Sequence, residues 1–162
     1  MNSLLLRGAL GVALIVSLAV GGAGATQAQG VDAVIKHRQD TMKQQSSDLK
    51  TIKAYMDGTA DQAKAETAVA DLGKTSQEIP SLFPADSAKA TPGPNDKYWP
   101  KPTVWSDNDK FVAAAKTLSE KTEALSAAIK TGDKTKVAAA FGDAGKNGCG
   151  GCHKEFREEI KH

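Results

Sequence analysis

All six prolines of this 162-residue chain fall between residues 80 and 102. Proline has no backbone N–H to donate, and its ring clashes with the preceding turn. No continuous helix can therefore run through Pro80, Pro84, Pro92, Pro94, Pro100 and Pro102. Residues 80–104 read as one crossover loop separating two arms. A loop of that length is uncommon in a compact domain and needs clamping side chains, for which Leu82, Phe83, Tyr98 and Trp99 are at hand.

The arms on either side carry helical periodicity. In the first, Val34, Ile35, Met42, Leu49, Ile52 and Met56 recur at three- and four-residue steps, predicting a helix over residues 31–56 with those side chains as its buried stripe. Gly58 ends it. A second helix is expected over 61–78, with a weaker stripe of Ala65, Ala68, Val69 and Leu72 and with Gly73 a poor helix former near its end. Beyond the crossover, Ser106 and Asp107 are good N-cap residues for a third helix carrying Phe111, Ala114, Leu118, Leu125 and Ile129. Thr131-Gly132-Asp133 stops that helix and restarts the chain. A fourth is expected from 133 or 134 to about 160, interrupted near Gly145-Lys146-Asn147-Gly148, with Val137, Phe141, Ala144 and Phe156 facing inward. Helix, short turn, helix, long loop, helix, short turn, helix is the connectivity of an all-α, antiparallel four-helix bundle.

The only two cysteines lie in Cys149-Gly150-Gly151-Cys152-His153. Two thiols at this spacing can add to the two vinyl groups of one haem, and the adjacent imidazole can then bind its iron. C-x-x-C-H therefore reads as covalent attachment of one haem c through Cys149 and Cys152, with His153 as the proximal ligand. Structural zinc needs four protein ligands, and the remaining His37 and His162 are far apart and unpaired. A thioredoxin-like dithiol site goes with a βαβ pattern, and no strand-like alternation surrounds the motif. A Cys149–Cys152 disulfide is the competing assignment, permitted in an exported chain. Aromatic residues make up only 5% of the sequence, so the core is thin and a buried haem would supply apolar volume.

Export is indicated at the other end. Arg7 precedes an apolar run from Leu10 to Val20, too short to span a bilayer comfortably, and small residues follow. Residues 1–28 read as a cleaved secretory signal peptide and 29–162 as one domain, with no stable membrane insertion after cleavage. Haem attachment in an exported protein places it in the bacterial periplasm. The net charge of +2 falls to about +1 without Arg7. The lysines are interleaved with Asp and Glu as a solvated face, which gives no case for nucleic-acid binding. No nucleophile–base pair, paired acids or phosphate loop supports an enzyme.

With these motifs in place the chain resembles the class II c-type cytochromes, which include cytochrome c′ and its low-spin relatives and carry the haem motif near the C-terminus, on the last helix. Arg38-Gln39-Asp40-Thr41-Met42 is similar to the family's R-Q-x-x-[ML] element. Lys101-Pro102-Thr103-Val104-Trp105-Ser106-Asp107, followed by Phe111, resembles the entry into helix three. Ala139-Ala140-Phe141-Gly142 and the stretch from Cys149 to Arg157 resemble helix four.

The resemblance implies a role for Met42, whose family position points at the distal face of the haem. A thioether ligand favours ferrous iron and suits electron transfer, giving a periplasmic electron carrier with His153 and Met42 as axial ligands and redox proteins as partners. The alternative is a five-coordinate cytochrome c′ binding nitric oxide or carbon monoxide, with Met42 as a steric gate. Met42 also belongs to the expected core stripe, which accounts for it without any haem. Arg38 and Gln39 match family positions near the haem, so Arg38 is either a propionate partner or a surface cation. Arg157, four residues after His153, is expected on the same helical face, tuning the imidazole or a propionate or complementing the helix end. Trp105 and Phe156 line the haem pocket or pack the core. The resemblance also implies a possible antiparallel homodimer through helices one and two.

Overall fold

The computed structural model describes residues 23–161, with side chains from residue 30 onward. The expected leader over 1–28 lies outside the described residues, apart from helical backbone at its end. The architecture is the expected four-helix bundle. Helix α1 spans Ala23–Met56 and α2 spans Gln62–Glu78. After the crossover come a short α3, Thr103–Ser106, and the long α4, Asn108–Lys130. The last arm is divided into α5, Lys134–Asp143, a π-helical turn over Ala144–Cys149, and α6, Gly150–Phe156. Helix α1 packs on α2, α2 on α4, and α4 on α5 and the π turn, while α5 returns to α1. No helix among the described residues is long and apolar enough to cross a membrane.

Local chemistry sets the tight turns. Gly58 and Gly132 take positive φ of 79° and 70°, which a residue without Cβ adopts at no steric cost. Asp61 caps α2 by accepting from the Lys64 amide at 2.8 Å. Asp133 caps α5 by accepting from Thr135 N at 2.9 Å and Lys136 N at 3.2 Å.

The inner face of α1 departs from the expected stripe. Its buried side chains are Arg38, Thr41, Gln45, Asp48, Ile52 and Tyr55, again at three- and four-residue steps but rotated around the helix. Of the expected stripe only Ile52 is buried, and Val34, Ile35, Met42, Leu49 and Met56 are half-buried along its flank. Two of the polar inner residues find partners: Gln45 Nε2 donates to Thr75 Oγ1 at 3.3 Å, and Gln44 Nε2 donates to Asp48 Oδ1 at 2.8 Å, while Asp48 Oδ2 has no hydrogen-bond partner among the described residues.

The apolar core is consequently split. One cluster, which includes Ile52, Tyr55, Leu72, Leu125, Ile129 and Val137, fills the end where α1 and α2 are joined. A second, built on Ile79, Val104, Phe111, Ala115, Leu118 and Phe156, lies beside the cysteine motif. At the second cluster, Gly148 lets the π turn approach α4 closely. A Cβ there would sit 2.9 Å from Leu118 Cδ1 and 3.5 Å from Leu118 Cα.

The crossover is more structured than a loop. Residues Ile79–Leu82 and Ala85–Lys89 form 3₁₀ turns, which such short proline-flanked segments accommodate. Strand β1, Tyr98–Pro100, pairs antiparallel with β2, Arg157–Glu159. The last helix therefore ends at Phe156, not near Ile160, and a strand directly follows the cysteine motif.

Two outcomes test this packing. Gly148→Val is expected to destabilise the protein by about 1–3 kcal/mol in urea unfolding, because the added side chain would overpack the contact with the buried Leu118 and force it to shift. Asp48 is the second. Burial, with Asp71 nearby, raises its carboxyl pKa against the opposing hydrogen bond from Gln44. Ionising it therefore penalises the native state fully above the folded pKa and not below the unfolded one. Asp48→Asn is expected to raise the unfolding midpoint at neutral pH, with the gain shrinking as pH falls through the raised native-state pKa and gone below the ordinary aspartate range.

Candidate haem-binding site

The π turn and α6 present Cys149, Cys152 and His153 within one helical turn at the open side of the second apolar cluster. Both cysteines are free thiols. Both pack against that cluster, and so do Met42, Phe83 and Trp105. The expected site residues Met42, Trp105, Cys149 and Cys152 thus meet from α1, α3, the π turn and α6. Burial pushes the Cys149 thiol up, and burial with the neighbouring Cys149 pushes Cys152 up to about 11. His153 is pulled down to about 4, first by burial and then by the Arg157 charge. Its imidazole is neutral near pH 7 and holds a lone pair ready for a metal.

The wall beside the motif is aromatic. Phe83 meets Phe111 edge-to-face at 4.8 Å, Phe111 meets Phe156 at 5.4 Å, and Phe83 meets Trp105 at 6.3 Å. Trp105 also clamps the crossover, its indole Nε1 donating to the carbonyls of Phe83 and Pro84, each at 3.1 Å. Phe83 was placed only as a clamp by sequence reasoning. Nothing in a proline-rich segment signals that such a residue reaches the site.

Arg38 is not a surface cation. It is 5% exposed, with Cζ 4.6 Å from the Phe83 ring centroid and 5.6 Å from that of Trp99. Burial lowers its pKa, partly offset by the attraction of Asp96. Its Nη1 and Nη2 have no hydrogen-bond partner among the described residues. Gln39 does something different: its Nε2 donates to Asp96 Oδ1 at 2.9 Å, and Asp96 Oδ2 accepts from the Gly93 amide at 2.7 Å. It ties α1 to the crossover.

Arg157 is also relocated. It lies on strand β2 and not on the helical face of His153, and its Cζ sits 4.2 Å from the Tyr98 ring centroid. His37 is exposed, and His162 falls outside the described residues.

These residues fit a haem. The donor set comprises two thiols, a neutral imidazole and an apolar aromatic wall, and the terminal nitrogens of the desolvated Arg38 guanidinium have no acceptor among the described residues, a place that a propionate would fill.

The family model described as Cytochrome C' matches residues 33–157. The chain belongs to the cytochrome c′ family. It is 34% identical over 150 residues to cytochrome c′ of Rhodopseudomonas palustris, covering 91% of this chain and 96% of that protein. It is 29% identical over 128 residues to cytochrome c-556 of the same organism, covering 78% and 83%. Among solved structures it resembles the nitric oxide complex of a cytochrome c prime variant from Alcaligenes xylosoxidans. That match has a TM-score of 0.67 and 27% identity, and covers 80% of this chain and 97% of the other. As a cytochrome c′ family protein it binds one haem c covalently through Cys149 and Cys152.

Arg38→Met provides a test whose sign is informative. If the guanidinium pairs with a propionate, removing it would leave that carboxylate uncompensated, and a loss of about 3 kcal/mol in the holoprotein's unfolding free energy is expected. An unchanged or increased stability would show that the guanidinium has no anionic partner in the loaded protein.

Proposed function

We propose that the chain is a periplasmic, five-coordinate monohaem cytochrome c′, with His153 on the proximal side of the iron and the distal side taking nitric oxide or carbon monoxide. Bound haem supplies an iron that changes oxidation state and accepts a small diatomic ligand. The protein's part is to hold it through Cys149, Cys152 and His153, to neutralise a propionate at Arg38, and to limit access with Met42. Trp105 and Phe156 form its apolar surroundings. The expected signal peptide over residues 1–28 supports delivery to the periplasm. The role is ligand binding, not catalysis.

The observation that carries this reading is the position of Met42. It follows Thr41 on the buried face of α1, so it lies about 100° further around the helix, half-buried on the shoulder of the inner face. That is the place of a side chain that covers an opening. Similarity to a cytochrome c prime solved with nitric oxide bound supports the same conclusion.

A second reading keeps the His153/Met42 electron carrier, because the Met42 thioether packs on the same cluster as both cysteines. Its partners would be periplasmic redox proteins. In either case an antiparallel homodimer through α1 and α2 is compatible with the open groove between those helices, which is lined by short side chains including Ser47, Thr51, Ala63 and Thr67.

Optical and magnetic-resonance spectra of the holoprotein, with and without carbon monoxide, separate the two. The gas-binding reading expects high-spin ferric haem and ready uptake of carbon monoxide on reduction. Met42→Ala should then speed uptake by about tenfold, equivalent to ~1.4 kcal/mol of steric barrier, without altering the ferric spectrum. A low-spin ferric spectrum that Met42→Ala converts to high spin would establish the carrier instead.

A further inference from the structure

The strand pair β1–β2 ties the crossover to the haem motif at a level that the bundle alone does not require. Tyr98 lies opposite Glu159, Trp99 opposite Glu158, and Pro100 opposite Arg157. Amide bonds flank the pair, from Lys101 N to Phe156 O and from Ile160 N to Lys97 O, both 2.9 Å.

A helix leaves its last four carbonyls without intrahelical partners, and in α6 the crossover takes up three of them. Lys101 Nζ donates to Lys154 O at 3.0 Å, Thr103 Oγ1 donates to Glu155 O at 3.5 Å, and the Lys101 amide caps Phe156 O. The fourth, His153 O, accepts from the Arg157 amide as the chain turns into the strand. The proline-rich segment is therefore the C-terminal cap of the helix that carries the motif.

The same turn fixes a charge. In extended conformation, with φ −123° and ψ 140°, Arg157 directs its guanidinium onto the ring of Tyr98, which is 42% exposed. Tyr98, His153 and Arg157 line one open cleft of ≈ 450 Å³. Lys154, Glu158 and Glu159 share its rim, and Lys97 Nζ lies 5.4 Å from the Tyr98 centroid.

We propose that Tyr98 is a positioning residue for the iron: its ring holds the Arg157 guanidinium in the cleft beside His153, where the fixed positive charge favours the ferrous state. The inference rests on His153 being the proximal ligand. The attraction between a cation and an aromatic face holds Arg157 there, and a cation near iron disfavours the additional positive charge of the ferric form.

Equilibrium redox titration of the haem-loaded protein tests this. Tyr98→Ile keeps a residue suited to a strand while removing the ring, and Tyr98→Phe keeps the ring. Tyr98→Ile is expected to lower the ferrous-to-ferric ratio at fixed potential roughly threefold, about 28 mV for a one-electron couple. Tyr98→Phe should leave the midpoint unchanged. In an Arg157→Gln background Tyr98→Ile should have no further effect. An unchanged midpoint in Tyr98→Ile overturns the proposal, as does a shift that persists in the Arg157→Gln background, which would point to Lys97 or to the strand itself. His153→Ala is read separately by its ferric spectrum. If the native spectrum survives, the ligand assignment fails, and the proposal fails with it. If it is lost, the titration judges Tyr98 alone.

Discussion

Arg38 carries a positive charge into the second half of the bundle, where its terminal nitrogens have no hydrogen-bond partner among the described residues. Desolvating a guanidinium is costly unless it gains compensating interactions. The protein supplies part of that compensation from the crossover: the faces of Phe83 and Trp99 and the charge of Asp96. These groups attract the cation without satisfying its donors. On the function proposed above, an anionic group of the cofactor would complete the arrangement, and the upper half of α1 would be one side of a binding site. The crossover's path follows from the same need, because it must bring two aromatic rings and a carboxylate to one residue of α1.

This view explains why the core is divided. Phe83, Trp105, Phe111 and Phe156 gather at one end. The end joined by the α1–α2 turn is packed with aliphatic residues from α1, α2, α4 and α5. At the other end α1 contributes Arg38, Thr41 and Gln45 to the inside, and the apolar cluster is assembled from α4, α6 and the crossover. The absence of a Cβ at Gly148 draws the motif onto α4 and not onto α1. The π turn that carries this glycine adds a residue to the helical repeat, a distortion often found at functional positions.

Much of this was legible in the sequence. The long helices and the break near residues 145–148 follow from proline, glycine and apolar spacing, and the five residues from Cys149 to His153 identify the cofactor, whereas the expected cap Asp107 makes no side-chain capping bond and the caps fall to Asp61 and Asp133. The inner face of α1 was not legible. Its apolar residues are periodic, but the true buried face is offset toward polar side chains that are inside because they face partners or a ligand, which hydropathy cannot report. The strand at residues 157–159 was equally hidden. It has three charged residues and no alternating pattern, and it exists because a distant segment supplies its pairing partner. Arg157 was consequently misplaced, since a helical count of four from His153 assumes that the helix continues.

The prolines that prevent a helix over residues 80–102 thus have a positive role. A helical connection would satisfy its own backbone groups internally. A proline-interrupted one leaves donors free, and Lys101 and Thr103 spend theirs on the carbonyls at the end of α6. The haem motif is therefore held from two sides, by the glycine contact with α4 and by the crossover's cap. Met42 lies half-buried on the flank of a helix whose inner face beside it is polar, with Arg38, Thr41 and Gln45, and it packs on the second cluster from outside. On the function proposed above, the proximal side of the iron would be fixed by several elements, whereas the distal side would depend on the packing of one flexible thioether. That asymmetry suits a site in which one axial position is permanent and the other opens to a ligand.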